Sequence, residues 1–216
     1  MKTIGVFGGT FDPIHKAHIQ MALLALSELK LDEVRLIPCH QPPHRDQPQL
    51  TSHERLHLLE LATANYESLI VDDLELRRSG PSWTVDTLKD LRQELGEQVS
   101  IVLLMGADAY NSLDSWRQWQ ELPDLAHIAV FLRPGYSLPS KGLLSEYLER
   151  SPRGKAFVSG IQSQASGLIT ALDQPQVDLS ATVVREQLSK GRLPSGLDPA
   201  VSDYIVRHQL YGYSSD

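Results

Sequence analysis

The chain has a single cysteine, Cys39, among its 216 residues. No intrachain disulfide framework is possible, and a reducing compartment is the natural setting. No apolar run approaches the ~20 residues that a membrane span needs. The first apolar stretch, Thr3 to Phe7, is followed by Gly8, Gly9, Asp12 and Pro13, well short of a signal-peptide core. Basic charge is scarce: 20 Lys and Arg stand against 27 Asp and Glu, a formal net charge of −7. That argues against a binder of DNA or RNA, which needs a basic face to displace condensed counterions. Internal repeats and low-complexity tracts are absent as well. The expectation is a soluble, cytoplasmic protein with neither a membrane nor a nucleic-acid polymer as partner. No feature bears on oligomeric state.

What is present reads as an ordinary globular domain, 41% hydrophobic and 22% charged. Short aliphatic or β-branched runs lie at Thr3 to Phe7, Val34 to Pro38, Ser68 to Asp72, Ser100 to Met105 and His127 to Leu132. Segments of helical period alternate with them: His18 to Leu29 (Met21, Leu24 and Leu29 on one stripe), Ser52 to Ala64 and Thr84 to Leu95. Two more follow, Ala181 to Ser189 and Pro199 to Gln209. This rhythm predicts an α/β fold: an open, Rossmann-like parallel sheet with helices on both faces. Ile101-Val102-Leu103-Leu104 is apolar on both faces, as buried parallel strands are. One domain over 1–216 is expected, with a C-terminal helical part over 180–216. The interval 135–166, rich in Ser, Gly and Pro, reads as a surface insertion with one short helix around Leu143 to Leu148.

The strongest local signal is Gly8-Gly9-Thr10-Phe11-Asp12-Pro13-Ile14-His15-Lys16-Ala17-His18, directly after the first strand. Ligands of open parallel sheets bind beyond the carboxyl ends of the strands. Two glycines let backbone N–H groups approach a phosphate unobstructed, and the helix that begins near His15 points its N-terminal N–H groups at the same space. His15 and His18 are spaced to share a helical face and to donate to phosphate oxygens. His15, His18, Cys39, His40 and His44 show no familiar zinc-ligand spacing, so no resident metal is expected.

Other positions read two ways. Ser180 is a good N-cap, and capping alone would account for it; Arg185, one turn further, would make a second phosphate corner or sit on a solvated face. The second corner would face the first across the carboxyl edge of the sheet. Asp108 would accept from ribose hydroxyls or cap a helix. His44 and Arg45 lie in a proline-bracketed loop placed to close over phosphates. Trp83 and Trp116 would stack on flat rings or fill a core.

The eleven-residue string resembles the signature of the nucleotidyltransferase superfamily with a His-x-Gly-His-type motif. Further strings narrow the resemblance. They are Pro42-Pro43-His44-Arg45, Trp83-Thr84-Val85-Asp86-Thr87-Leu88, Gly106-Ala107-Asp108, Arg133-Pro134-Gly135-Tyr136 and Ser180-Ala181-Thr182-Val183-Val184-Arg185. Together they resemble bacterial nicotinate-nucleotide adenylyltransferases over nearly the whole chain. Ala17 departs from the pattern, standing where the family has glycine between the histidines. The resemblance implies adenylyl transfer from ATP to nicotinate mononucleotide, giving deamido-NAD and pyrophosphate, with Mg²⁺ accompanying ATP. It implies catalytic roles for His15 and His18. ATP would be held by Gly8, Gly9, Thr10, Phe11, His44, Arg45, Gly106, Asp108, Ser180, Thr182 and Arg185. The mononucleotide would be held by Trp83, Thr84, Trp116 and Arg133. Transfer to nicotinamide mononucleotide, or a non-catalytic nucleotide-binding module, are the alternatives.

Overall fold

The computed structural model describes residues 1–42, 47–132, 143–173 and 179–214. His44, Arg45 and Arg133, all expected at the site, lie outside the described residues. Among the described residues the strands are β1 (Lys2–Gly9), β2 (Glu33–Pro38), β3 (Leu69–Val71), β4 (Val99–Gly106), β5 (His127–Leu132) and β6 (Ile169–Asp173). They form one open parallel sheet in the order β3-β2-β1-β4-β5-β6. Register pairs Ile4 with Ile101, Leu104 with Ala129 and Ile128 with Ile169. The order reverses direction between β1 and β4, the switch point at which such sheets bind ligands. No helix among the described residues is long and apolar enough to cross a membrane.

The chain divides into two compact units. The first comprises Met1–Gly8, Met21–Arg35 and Trp83–Gln176; the second comprises Gly9–Gln20, Leu36–Ser82 and Val177–Asp216. In the first, the six central residues of β4 are buried, as are the first five of β5, which agrees with their doubly apolar sequence. Helix α3 (Thr84–Leu95) buries Val85, Leu88 and Leu91 and ends where Gly96, at φ 73°, supplies the left-handed residue. Arg92, in its last turn, donates to the carbonyls of Leu125 (2.8 Å), Val99 (2.6 Å), Gly96 (3.1 Å) and Ala165 (2.7 Å). In the second unit, α2 (Ser52–Thr63) opens with a capping box: Thr51 accepts from Glu54 N–H, and Glu54 accepts from Thr51 N–H. Helix α8 (Ala181–Leu188) is capped by Ser180, and α9 (Pro199–Arg207) by Asp198 with proline at its first position.

Three expectations are corrected. The helix after the glycine loop, α1 (Lys16–Leu29), buries Met21, Ala22, Ala25 and Leu29, while Leu24 is only half-buried. Alanine carries too little apolar weight to stand out in a hydrophobicity pattern. A sixth strand, β6, is present where none was expected; it is an end strand buried mainly at its first residues, so its apolar run is short. The 135–166 interval holds two helices in its described part, α6 (Leu143–Arg150) and α7 (Lys155–Ile161), with Phe157 and Ile161 wholly buried. It belongs to the connection from β5 to β6 and contributes to the core of the first unit, where a surface insertion would not.

His127 opens β5 with no exposed surface. Its Nδ1 accepts from the Leu168 N–H (3.0 Å), so the neutral ring carries its proton on Nε2, which faces the Gln164 carbonyl at 3.0 Å. Burial, opposed by the Gln164 bond and aided by the Arg92 charge, pulls its pKa down to about 4. Unfolded, the ring takes its proton near 6.5, so between those values the unfolded chain binds more protons and stability falls as pH falls. Urea unfolding from pH 7 to 4.5 should therefore show a loss of roughly 2 kcal/mol that is absent in His127→Gln. Parallel pH profiles for the two proteins would refute this.

Candidate active site

In the second unit the loop after β1 is shaped by its own side chains. Phe11 takes a left-handed backbone (φ 48°), and its buried ring lies against Gly9, where an added Cβ would meet it at 2.9 Å. Glycine at position 9 is therefore required by the loop itself. The Phe11 ring also meets His18 edge-on, with centroids 5.2 Å apart.

His15 lies one residue before α1, not within its first turn, yet the two imidazoles are stacked at 3.8 Å with planes 28° apart. The His15 backbone N–H donates to His18 Nδ1 at 3.3 Å. In the neutral ring this puts the His18 proton on Nε2. His15 is buried and His18 half-exposed, so the two are not equivalent. Ala17 is buried, and its methyl is packed within the protein.

Asp12 is 5% exposed and is the hub of the loop. Its Oδ1 accepts from the Tyr211 hydroxyl (2.8 Å), and its Oδ2 from the Gln49 N–H (2.9 Å). Its main-chain carbonyl accepts from Arg185 Nη1 at 2.6 Å. The two phosphate corners expected on opposite sides of the sheet edge are thus directly joined. Arg185 also approaches Thr182 Oγ1 at 3.5 Å, while Ser180 accepts from the Val183 N–H and acts as a cap. Burial, with the Asp12 charge beside it, pushes the Tyr211 hydroxyl pKa far up, so it is a donor throughout the physiological range.

Arg55 was not expected at the site. It lies on the buried stripe of α2 with Ser52, Leu58, Leu59 and Ala62, and it has no exposed surface. Its donors reach the carbonyls of Thr10 (2.6 Å), Cys39 (2.6 Å), Leu50 (3.3 Å) and His40 (3.4 Å). One guanidinium therefore ties together the glycine loop, the exit of β2 and the entry to α2. Burial lowers its pKa; the charges of Cys39 and the Asp12 carboxylate act in the opposite direction. An arginine on an otherwise apolar helix face was the signal available in the sequence.

The first unit holds the other expected positions. Gly8 is the last residue but one of β1 and Gly106 the last of β4, the two strands that flank the switch point. A Cβ added at either would meet nothing within 4 Å, and neither has a positive φ. The fold does not demand glycine there; a ligand passing close to the backbone would. Gly106 takes the N-cap place of α4 (Ala107–Asn111), so Asp108 is not the cap, and its side chain is exposed in the first turn. Trp83 and Thr84 open α3, whose first turn receives no side-chain cap. The Arg117 guanidinium stands 5.7 Å over the Trp83 ring and 3.6 Å from Asp86. Trp116 is half-exposed at the end of the 3₁₀ turn Leu113–Ser115. Among the described residues, no three His, Cys, Asp or Glu side chains are grouped as metal ligands.

An open sheet in this order, with a histidine-bearing glycine loop after its first strand, is the architecture of a nucleotidyltransferase. Residues 6–187 match the cytidylyltransferase-like family. A Chromobacterium violaceum protein named probable nicotinate-nucleotide adenylyltransferase is 45% identical over 214 residues, 96% of this chain and 98% of the relative. A protein of the same name from Cellvibrio japonicus is 41% identical over 210 residues, 97% and 98% of the two chains. The solved Plasmodium falciparum nicotinic acid mononucleotide adenylyltransferase complexed with NaAD has a TM-score of 0.73 at 18% identity, covering 99% of each chain. At that identity the likeness speaks to the fold. The chain belongs to the cytidylyltransferase-like family, in its nicotinate-nucleotide adenylyltransferase branch.

Removing the Arg55 fork would leave buried carbonyls without donors, each costing ~1–3 kcal/mol. Arg55→Met should lower unfolding stability by about 3–5 kcal/mol in urea titrations, and lysine, lacking the planar fork, should rescue only part. A methionine variant as stable as the parent would show that the guanidinium does not hold these segments.

Proposed function

We propose that the chain transfers the adenylyl group of ATP to the phosphate of nicotinate mononucleotide, giving deamido-NAD and pyrophosphate in NAD biosynthesis. The observation that carries this reading is the 45% identity, over nearly both full lengths, to a relative of that name. The chain would work as one catalytic domain in the cytoplasm, where ATP is supplied.

The attacking phosphate is anionic at neutral pH, so no strong general base is required. The barrier lies in bringing two anions together and in stabilising charge on the α-phosphate and the departing pyrophosphate. Family members use a divalent metal with ATP; we take it to be Mg²⁺, carried in on the triphosphate as part of the substrate. His18, with Nδ1 occupied by the His15 N–H, would donate Nε2–H to the reacting phosphate. The ring of His15 backs it. Arg185, Arg45 and His44 would neutralise the β/γ end, with Ser180, Thr182 and the loop Gly8, Gly9, Thr10 and Phe11 completing the cradle. Gly106 and Asp108 would receive the nucleoside. Trp83 and Thr84, at the uncapped start of α3, would present backbone N–H groups to the nicotinate carboxylate, while Trp116 covers the ring and Arg133 adds charge.

Two measurements test this. If His18 acts on the transition state, His18→Ala should lower kcat roughly a hundred- to thousand-fold, the worth of one preorganised donor, and change the KM for ATP much less. A folded variant with near-normal turnover would remove the role. Substrate choice is tested by assaying the acid and amide mononucleotides side by side at equal ATP. Backbone donors suit a carboxylate but leave an amide NH₂ unsatisfied, so kcat/KM should favour the acid by at least ~10²-fold, about 3 kcal/mol. Equal efficiency, or preference for the amide, would overturn the substrate while leaving adenylyl transfer standing.

A further inference from the structure

We propose that Tyr211 is a positioning residue for the triphosphate: by holding the Asp12 carboxylate, it keeps that carboxylate from neutralising Arg185. The inference rests on the reading of Arg185 as a phosphate contact.

Three observations carry it. The first is the partition of donors around Asp12. Arg185 Nη1 is 2.6 Å from the main-chain oxygen but 4.0 Å from Oδ2, so the guanidinium is docked on a neutral carbonyl and held off the nearby anion. The second is what occupies that anion. Oδ1 takes the Tyr211 hydroxyl at 2.8 Å and Oδ2 the Gln49 N–H at 2.9 Å, so the carboxylate is oriented by one donor on each oxygen. An arginine beside a carboxylate ordinarily closes to a bidentate pair. Here the carboxylate cannot turn without giving up the phenol. The third is the backbone that delivers the phenol. Gln209 (φ 51°), Tyr211 (φ 57°) and Gly212 (φ 69°) are all left-handed, and for a bulky tyrosine that conformation is strained. Gly191 (φ 68°), in the turn after α8, is also required, because a Cβ there would lie 2.8 Å from the Ser214 carbonyl. The C-terminal turn is thus built tightly against the exit of the helix that carries Arg185.

The consequence is electrostatic. An arginine paired side-on with a carboxylate carries little net charge to offer a phosphate. One fixed on a carbonyl keeps its charge and its remaining N–H donors for an incoming anion. Without the phenol, Oδ1 has lost its donor and the carboxylate is free to turn, with the Arg185 guanidinium already 4.0 Å from Oδ2.

The test is Tyr211→Phe, which keeps the ring and its packing, combined with Arg185→Ala in a double-mutant cycle. ATP binding is measured directly by calorimetry without mononucleotide, alongside steady-state kinetics and a melting curve. In the parent background Tyr211→Phe should weaken ATP binding and raise its KM about 5- to 20-fold. The KM for the mononucleotide should change less than about twofold, and kcat less than about threefold. In the Arg185→Ala background the same substitution should cost less than about twofold. Unchanged ATP affinity, an equal loss in both backgrounds, or a variant unfolded at the assay temperature would each overturn the positioning role. A parent protein that binds ATP but transfers nothing would refute the proposed reaction, and ATP affinity would still decide the role of Tyr211. Arg185→Ala that binds ATP normally would overturn both the Arg185 assignment and this inference.

Discussion

A loop able to receive an anion, as proposed for the one after β1, must keep peptide N–H groups turned toward solvent while its carbonyls find donors inside the protein. In this chain the inward donors are guanidinium groups. Arg55 takes the carbonyl of Thr10 and Arg185 that of Asp12, at 2.6 Å each. Thr10 C=O and Phe11 N–H belong to one planar peptide unit, so fixing the oxygen on Arg55 directs the N–H the opposite way. A neutral donor would satisfy the carbonyl equally, but a cation also raises the local potential for an anion. The arrangement shows how a chain of net charge −7 can still concentrate positive charge at the proposed site. The cations are few, anchored on backbone, and concentrated around one loop.

Much of this was legible in the amino-acid order, and what was missed has physical reasons. Helix α3 and strand β5 have the bounds that their periodicity implied, because each buries large side chains on a regular period. The core face of α1 is wider than its hydrophobic period shows because it is partly alanine, and β6 leaves little trace because an edge strand needs only a short apolar run. Among site residues, His15, His18 and the glycines are visible as a contiguous string. Arg55 and Tyr211 are not. Each acts on the loop from a remote part of the chain, Tyr211 across 199 residues, and no local pattern encodes such a contact. Arg55 at least leaves a trace, a charge on an apolar stripe. Tyr211 leaves none, since a buried tyrosine at a chain end looks like ordinary core.

The glycines separate two kinds of demand that sequence reading merges. Gly9 is required by the protein, because the Phe11 ring occupies the place of its side chain. Gly8 and Gly106 are not: each has room for a methyl and an ordinary backbone conformation. Both sit at the carboxyl ends of the strands where the sheet order reverses. A residue type that the fold does not need, repeated on both sides of the switch point, is best accounted for by a partner that the fold does not contain. Nucleotide backbone or ribose against bare peptide is such a partner.

The same separation applies to the two histidines, which sequence spacing presents as a matched pair. Stacking at 3.8 Å sets one ring against the other, with His15 buried and His18 half-exposed. The His15 N–H on His18 Nδ1 fixes the tautomer of the neutral outer ring, with its proton on Nε2. A neutral donor suits a reaction in which the nucleophile is already charged and no proton needs to be moved. On the proposed reading it would stabilise charge as it develops on the phosphate and release the product without retaining an ion pair. His15, buried and stacked against it, would then be the wall and hydrogen-bond anchor that holds the proposed catalytic ring at one angle.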